Sequence, residues 1–192
     1  MPQRRQLKLT DPRALRAVAH PVRLALLGLL RREGPLTATQ AAARVRESPA
    51  ACSFHLRQLA KHGLVEEAAG GRGRERPWRA TAMFTSWPAA PETPELAAAT
   101  ELLTTVIAER YLEHLLRWID SRGDEPREWQ ERELFGDVAV YLTPDELGEL
   151  DRAIQALVAP YLERTTNPEL RPDASRLVML IALGFPLPED VT

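Results

Sequence analysis

Between His20 and Ala80 the chain places helix starts and stops so close together that few arrangements can satisfy them all. His20-Pro21 opens a helix in which Val22, Leu24, Ala25, Leu26, Leu27, Leu29 and Leu30 are apolar nearly all round, and Gly34-Pro35 ends it. A helix of that kind has to be central to a core. Ahead of it, Thr10 or Asp11 followed by Pro12 offers a start for a short first helix carrying Leu15, Val18 and Ala19. Thr37 is an N-cap for a small Ala-rich helix over 38–45, and Arg46-Glu47 leave room only for a tight turn. Ser48-Pro49 then repeats the cap-plus-proline start, and Cys52, Leu56 and Leu59 at i, i+4 and i+7 give the next helix one narrow buried stripe. Gly63 ends it. Residues 64–68 and 76–80 read as two short strands around the turn 70–74. Two helices joined by a tight turn and followed by a basic hairpin make a winged helix-turn-helix.

Charge gives that arrangement a purpose. The first 90 residues hold 16 Lys/Arg against 6 Asp/Glu, whereas the remaining 102 hold 9 against 21, so a net charge of −2 conceals a basic half and an acidic half. Only a basic surface can supply the phosphate contacts that dominate non-specific DNA affinity. A solvated basic surface would carry the same charge, so it is the order of the elements that points to nucleic acid. In a winged helix-turn-helix the second helix enters the major groove, and the arginines of the hairpin tip lie along backbone or minor groove. Opposite its buried stripe, that helix carries Ala51, Ser53, Phe54, Arg57, Gln58 and Lys61. Arg57 can fork onto a guanine or clamp a phosphate, Ser53 can bond either, and Phe54 can meet a thymine methyl or fill a gap against the wing. The expected DNA-binding set is Thr37, Gln40, Ser48, Ala51, Ser53, Phe54, His55, Arg57 and Lys61, with Arg72, Arg74 and Arg76 on the wing.

Two strings carry a resemblance to a known family. Ala19-His20-Pro21-Val22-Arg23 followed by Leu26-Leu27, and Ser53-Phe54-His55-Leu56-Arg57-Gln58-Leu59 running into Gly63-Leu64-Val65, make the stretch from Leu15 to Thr81 resemble the ArsR-type bacterial regulators. The resemblance implies a homodimeric repressor or activator that binds palindromic operators and answers to a small effector. It puts Ser48, Ser53, Phe54 and Arg57 where such proteins face DNA, and His55 at a helix position close to the backbone. The wing arginines match by type alone. Some members sense metals through paired cysteines or through carboxylates and histidines; this chain departs from that pattern. Its single cysteine, Cys52, falls in the apolar stripe, and Cys52 with His55 is two ligands where a closed zinc site needs three or four. No metal and no cofactor is expected; His114, with Glu109, Arg110 and Glu113 nearby, is a candidate for an intersubunit site, and a solvated helix face explains those charges equally well.

Beyond a proline-rich linker at 85–94, residues 95–119 read as one long helix. Leu96, Leu103, Ile107, Tyr111, Leu115 and Trp118 form one stripe on it, with Leu102, Val106, Leu116 and Ile119 beside it. So wide an apolar surface predicts that the first stripe packs against the same helix of a second copy. Residues 135–142 alternate as a strand, Thr143-Pro144-Asp145-Glu146 opens an amphipathic helix through Tyr161, and 176–183 read as a buried strand. The expected fold is therefore mainly α with small β: a winged helix-turn-helix over 1–84, the linker, and over 95–192 a dimerisation helix and a small α+β unit. Trp118, Trp129, Phe135 and Tyr141 are candidates to line an effector pocket there, against the plainer reading as core.

No apolar run approaches the ~20 residues of a membrane span, and no hydrophobic segment follows the basic residues of MPQRRQLKLT, which predicts a cytoplasmic protein. Nothing catalytic is legible: there is no Gly-rich phosphate loop and no H-x-x-x-H pair, so no enzyme is expected. The expected partners are double-stranded DNA, a second copy and a small-molecule effector, without a membrane. The sequence thus predicts a cytoplasmic, dimeric, sequence-specific transcription repressor reading an inverted repeat. The competing reading is a winged-helix protein–protein adaptor, which would not need an arginine-tipped wing and a polar recognition face together.

Overall fold

The computed structural model describes residues 6–71 and 76–188, and the chain divides into two compact units, Met1–Leu116 and Arg117–Thr192. The first unit holds strand β1 (Gln6–Lys8), helices α1 (Pro12–Val18), α2 (Pro21–Glu33), α3 (Ala38–Val45) and α4 (Pro49–Lys61), and strands β2 (Val65–Glu67), β3 (Trp78–Ala80) and β4 (Phe84–Ser86). It also holds most of helix α5 (Pro94–Ser121).

The helix ends follow from local chemistry. Asp11 accepts from the Arg13 amide at the start of α1, and Ser48 accepts from the Ala51 amide at the start of α4, each ahead of a proline that has no N–H to leave unpaired. Thr37 and Gln40 form a full capping box at α3. Helix α3 ends on Arg46 in the left-handed region, φ 58°, which turns the chain sharply toward Ser48. At the α1–α2 corner the His20 ring accepts from the Val22 amide while the Arg23 guanidinium donates to the carbonyl oxygen of Ala17. One short string thereby closes one helix and opens the next.

Helix α2 is the centre of the core. Leu24, Leu26, Leu27, Leu29 and Leu30 are buried on it, and α1, α3, α4 and β3 all pack against it. Cys52, Leu56 and Leu59 of α4 are fully enclosed, along the stripe their spacing predicted. Full burial of each leucine contributes about 1.5–3 kcal/mol. The hairpin pairs β2 with β3 antiparallel, Val65 opposite Ala80 and Glu67 opposite Trp78. Leu36 and Trp78 exchange backbone hydrogen bonds, adding a third short rung to that sheet. The Thr81 hydroxyl, 2.6 Å from the Gly63 carbonyl oxygen, ties the far side of the hairpin to the end of α4. Strand β1 pairs parallel with β4, whose last two residues fall within the stretch expected as linker.

The first half of α5 belongs to this core. Ala99 and Leu103 are fully buried in it, and Leu96, Val106 and Ile107 pack against its edge. Leu103 is therefore not available to a second copy, and Leu96 and Ile107 are so only in part: an amphipathic helix buries its broadest face first against its own chain. The large apolar residues that α5 leaves exposed are Leu102, Leu112, Leu116 and Ile119, while Tyr111, Leu115 and Trp118 are half-buried.

In the second unit the short helix α6 (Arg127–Gln130) precedes α7 (Pro144–Val158), whose Thr143–Glu146 capping box forms as the sequence predicts, and then α8 (Glu163–Thr166). The strands expected at 135–142 and 176–183 do not form, and among the described residues this unit contains no strand. Alternation marks a segment as able to pair, but a strand exists only where another backbone takes up its N–H and C=O groups. Nor is any described hydrophobic residue of the unit buried. The expected α+β unit is, in this single chain, helices joined by apolar stretches that are neither helix nor strand among the described residues.

Removing a fully enclosed α5 side chain should be felt as core loss. Leu103→Ala is expected to lower the unfolding free energy by about 2–5 kcal/mol, read as a shift in the urea midpoint with the slope unchanged.

Candidate nucleic-acid interface

Helix α4 and the hairpin after it present the basic face. With Cys52, Leu56 and Leu59 locked inside, the 100° step of the helix turns Phe54, Arg57 and Lys61 outward and leaves Ala51, Ser53 and Gln58 half-exposed. The Arg57 guanidinium donates to the Ser53 hydroxyl oxygen at 2.8 Å, one turn away. This contact draws a long side chain into a defined pose on the helix, so less rotamer freedom remains to be lost on binding. Phe54 is half-exposed, an apolar surface beside that polar pair.

The remaining expected residues divide by what already holds them. Thr37 and Gln40 spend their side-chain oxygens on each other's backbone amides, at 3.2 and 2.8 Å, so what they can still offer is the Thr37 hydroxyl proton and the Gln40 amide N–H groups. Ser48 is engaged in the same way at the start of α4, where its hydroxyl proton and the positive end of the helix dipole favour an anion. On the hairpin, Arg76 lies 3.7 Å from Glu67 and Arg79 lies 2.8 Å from Glu66, both pairs exposed. Such pairs contribute little to stability and exchange readily for phosphate. Arg72 and Arg74 lie outside the described residues.

His55 faces inward. Its ring centroid is 4.7 Å from that of His20 and 5.3 Å from that of Phe54, and its Nδ1 is buried without a hydrogen-bond partner. Burial, with the Arg23 charge behind it, holds the His55 imidazole below the usual histidine range, only partly offset by Glu47. His20 is lowered by burial first, then by Arg23 and by His55 itself. Both are neutral near pH 7, which makes His55 a prop between α4 and the α1–α2 corner. Arg46, exposed in the turn before α4, and Arg79 on the hairpin are cations that the sequence reading left out; their positions between and after the two helices are the signal that could have found them.

The other candidate residues do not converge. Trp118 donates to Glu133 at 2.7 Å, and Trp129 lies under the Arg176 guanidinium at 5.3 Å, but Phe135 and Tyr141 stand in solvent on an extended stretch. These four aromatics do not line one pocket. An open cavity in this unit lies elsewhere, at Asn167, Pro168, Glu169 and Leu170. Among the described residues no three His, Cys, Asp or Glu side chains are grouped to hold a metal ion, and burial pushes the Cys52 thiol above its usual range, away from ligation. No described helix is long and apolar enough to cross a membrane.

Residues 18–68, which run from the end of α1 to just past β2, match the model of a helix-turn-helix domain. With β3, which completes the hairpin, this stretch has the element order of a winged helix-turn-helix. Among solved structures it is similar to the homodimeric winged helix-turn-helix DNA-binding domain of a possible ArsR-family regulator from Mycobacterium bovis, at 25% identity over 53% of this chain and 81% of that one, TM-score 0.34. It is also similar to a possible transcriptional regulator for arsenical resistance, at 27% identity over 59% and 97%, TM-score 0.32. A Mycobacterium tuberculosis protein overlaps 85% of this chain and 86% of its own at 14% identity, TM-score 0.32. Overlaps this loose carry no weight by themselves; the domain match and the geometry of α3, α4 and the hairpin do. No curated protein matches the chain.

Because His55 is more easily protonated in the unfolded chain than in the folded one, the unfolded state takes up more protons as pH falls through the ordinary histidine range. Stability is therefore greatest above that range and declines as pH drops from 7 toward 5. His55→Gln should flatten this decline, measured as thermal midpoint against pH.

Proposed function

We propose that this chain is a transcription repressor that binds an inverted-repeat operator as a homodimer. The observation that carries the reading is the outward face of α4. There the Ser53–Arg57 pair and Phe54 are fixed by the buried Cys52, Leu56 and Leu59 stripe, on a helix that follows a tight turn and precedes a basic hairpin. In this reading α4 lies in the major groove, Ser48 and the start of α4 anchor a backbone phosphate, and Arg57 reads a base or clamps a phosphate. Arg46, Arg76 and Arg79 add electrostatic attraction along the duplex.

Two copies related by a twofold axis would set two α4 helices into half-sites about 10 bp or a multiple apart. The exposed stripe of α5, in which Leu112, Leu116 and Ile119 follow at i, i+4 and i+7, is the helical surface offered to the second copy. The acidic second half repels DNA and so favours binding through the basic face. Repression follows from occupying the operator, and a ligand that altered the spacing of the two reading heads would relieve it.

Selection of bound duplexes from a random pool should enrich an inverted repeat bound far more tightly than a scrambled sequence at physiological salt. Weak binding that vanishes equally for both as salt rises would leave only an electrostatic surface and favour the adaptor reading. On the selected operator Arg57→Ala is expected to cost about 1–3 kcal/mol, concentrated on one base pair if Arg57 reads a base and uniform across sequences if it holds phosphate. Equal affinity of variant and wild type for every duplex would remove Arg57 from the interface.

A further inference from the structure

A single chain gives the second unit no buried hydrophobic core among its described residues. That unit's 76 residues include two stretches without helix or strand, 134–142 and 177–187, in which large apolar residues lie open to water. Tyr141 is fully exposed; Leu134 is 88%, Val138 81% and Leu177 74% exposed. Scattered single exposures are ordinary, but two continuous apolar runs are not. Their backbones join no ladder, which leaves them as pairing templates.

Composition and charge narrow the choice of occupant. The unit carries 8 Lys/Arg against 16 Asp/Glu, yet no charged residue occurs at 138–142 or at 177–187. Two such acidic units could meet only along surfaces cleared of carboxylates, and these two stretches are cleared. The mixture of β-branched and large apolar residues, Val138, Val140, Val178 and Ile181 among them, suits a strand covered on both faces. Helix α7 offers one cover: Leu147, Leu150, Ile154 and Leu157 follow one another on it, and none is buried. A second copy is the one partner always present at equal amount, and it brings the same charge-free strands and the same amphipathic helix.

We propose that 138–142 and 177–183 are strands of a sheet formed between two copies of this chain, so that each C-terminal unit is completed only in the dimer. This rests on the homodimer reading above and gives it a specific surface. The sheet closes over apolar side chains of both copies, with the two α7 helices against its faces. Its strands are absent from a single chain because their hydrogen-bond partners belong to the other copy. Assembly of the two reading heads and folding of the acidic unit thereby become one event.

The test uses the full-length protein with the photoreactive residue benzoylphenylalanine at position 180, a wild-type sample for backbone hydrogen exchange and sedimentation, and the variant Ile181→Asp. The expected results are a covalent dimer on irradiation, joined through a peptide from 134–142 or 176–187, and amides at 138–142 and 177–183 slowed about 100-fold or more relative to an unstructured chain. Ile181→Asp should sediment as a monomer, lose that protection, and retain protection in α2 and α4, which separates failed assembly from failed folding. Cross-linking only within one chain, with the same amides protected, would overturn the proposal in favour of internal pairing. A wild-type dimer whose amides at 138–142 and 177–183 exchange freely would overturn it while leaving the homodimer reading intact. A wild-type monomer would remove both.

Discussion

One apolar seam fixes the reading surface: Cys52, Leu56 and Leu59 of α4 seated against the leucines of α2. A helix has one rotational freedom about its axis, and three fully enclosed side chains at i, i+4 and i+7 remove it. Once they are inside, the outward direction of Phe54, Arg57 and Lys61 is settled without any contact of their own. The left-handed turn at Arg46 and the Ser48 cap then fix where α4 begins, and the Thr81 hydroxyl on Gly63 fixes where it ends. The polar pair between Ser53 and Arg57 matters because this frame is rigid; on a loosely seated helix the same bond would position nothing.

The two strings that make the chain resemble a family divide their labour. In the first, His20 caps α2, Pro21 takes the position where no amide is needed, and Arg23 closes the end of α1, so the string builds a corner. In the second, Leu56 and Leu59 are core, His55 props that corner, and Ser53, Phe54, Arg57 and Gln58 are left on the outward face. A resemblance of this kind therefore says more about the fold than about which base is read. The wing contributes by charge, through exposed Arg76 and Arg79 in loose ion pairs with Glu67 and Glu66.

The two halves of α5 have different fates for a physical reason. Its first turns meet a core already built by α1 to α4, and Ala99 and Leu103 complete it. Further along, Leu112, Leu116 and Ile119 remain in solvent. The second unit has the opposite balance to the first: well-signalled local structure, as in the Thr143–Glu146 capping box, and no buried hydrophobic residue among those described. Its ion pairs, Arg122 with Glu133 and Arg127 with Glu131 among them, are exposed and substitute poorly for a core.

By itself the sequence determined whatever is decided within a turn or two of chain. It set the starts of α1, α2, α3, α4 and α7, the turn between α3 and α4, the hairpin, and the buried stripe of α4, because caps, prolines and helical spacing act over three to seven residues. Tertiary structure alone decided which apolar stripe of α5 goes inside, that His55 turns to His20, and that 135–142 and 176–183 remain unpaired in one chain. Those outcomes depend on what stands opposite. An amphipathic face names no neighbour, and an alternating segment becomes a strand only when another backbone comes to meet it.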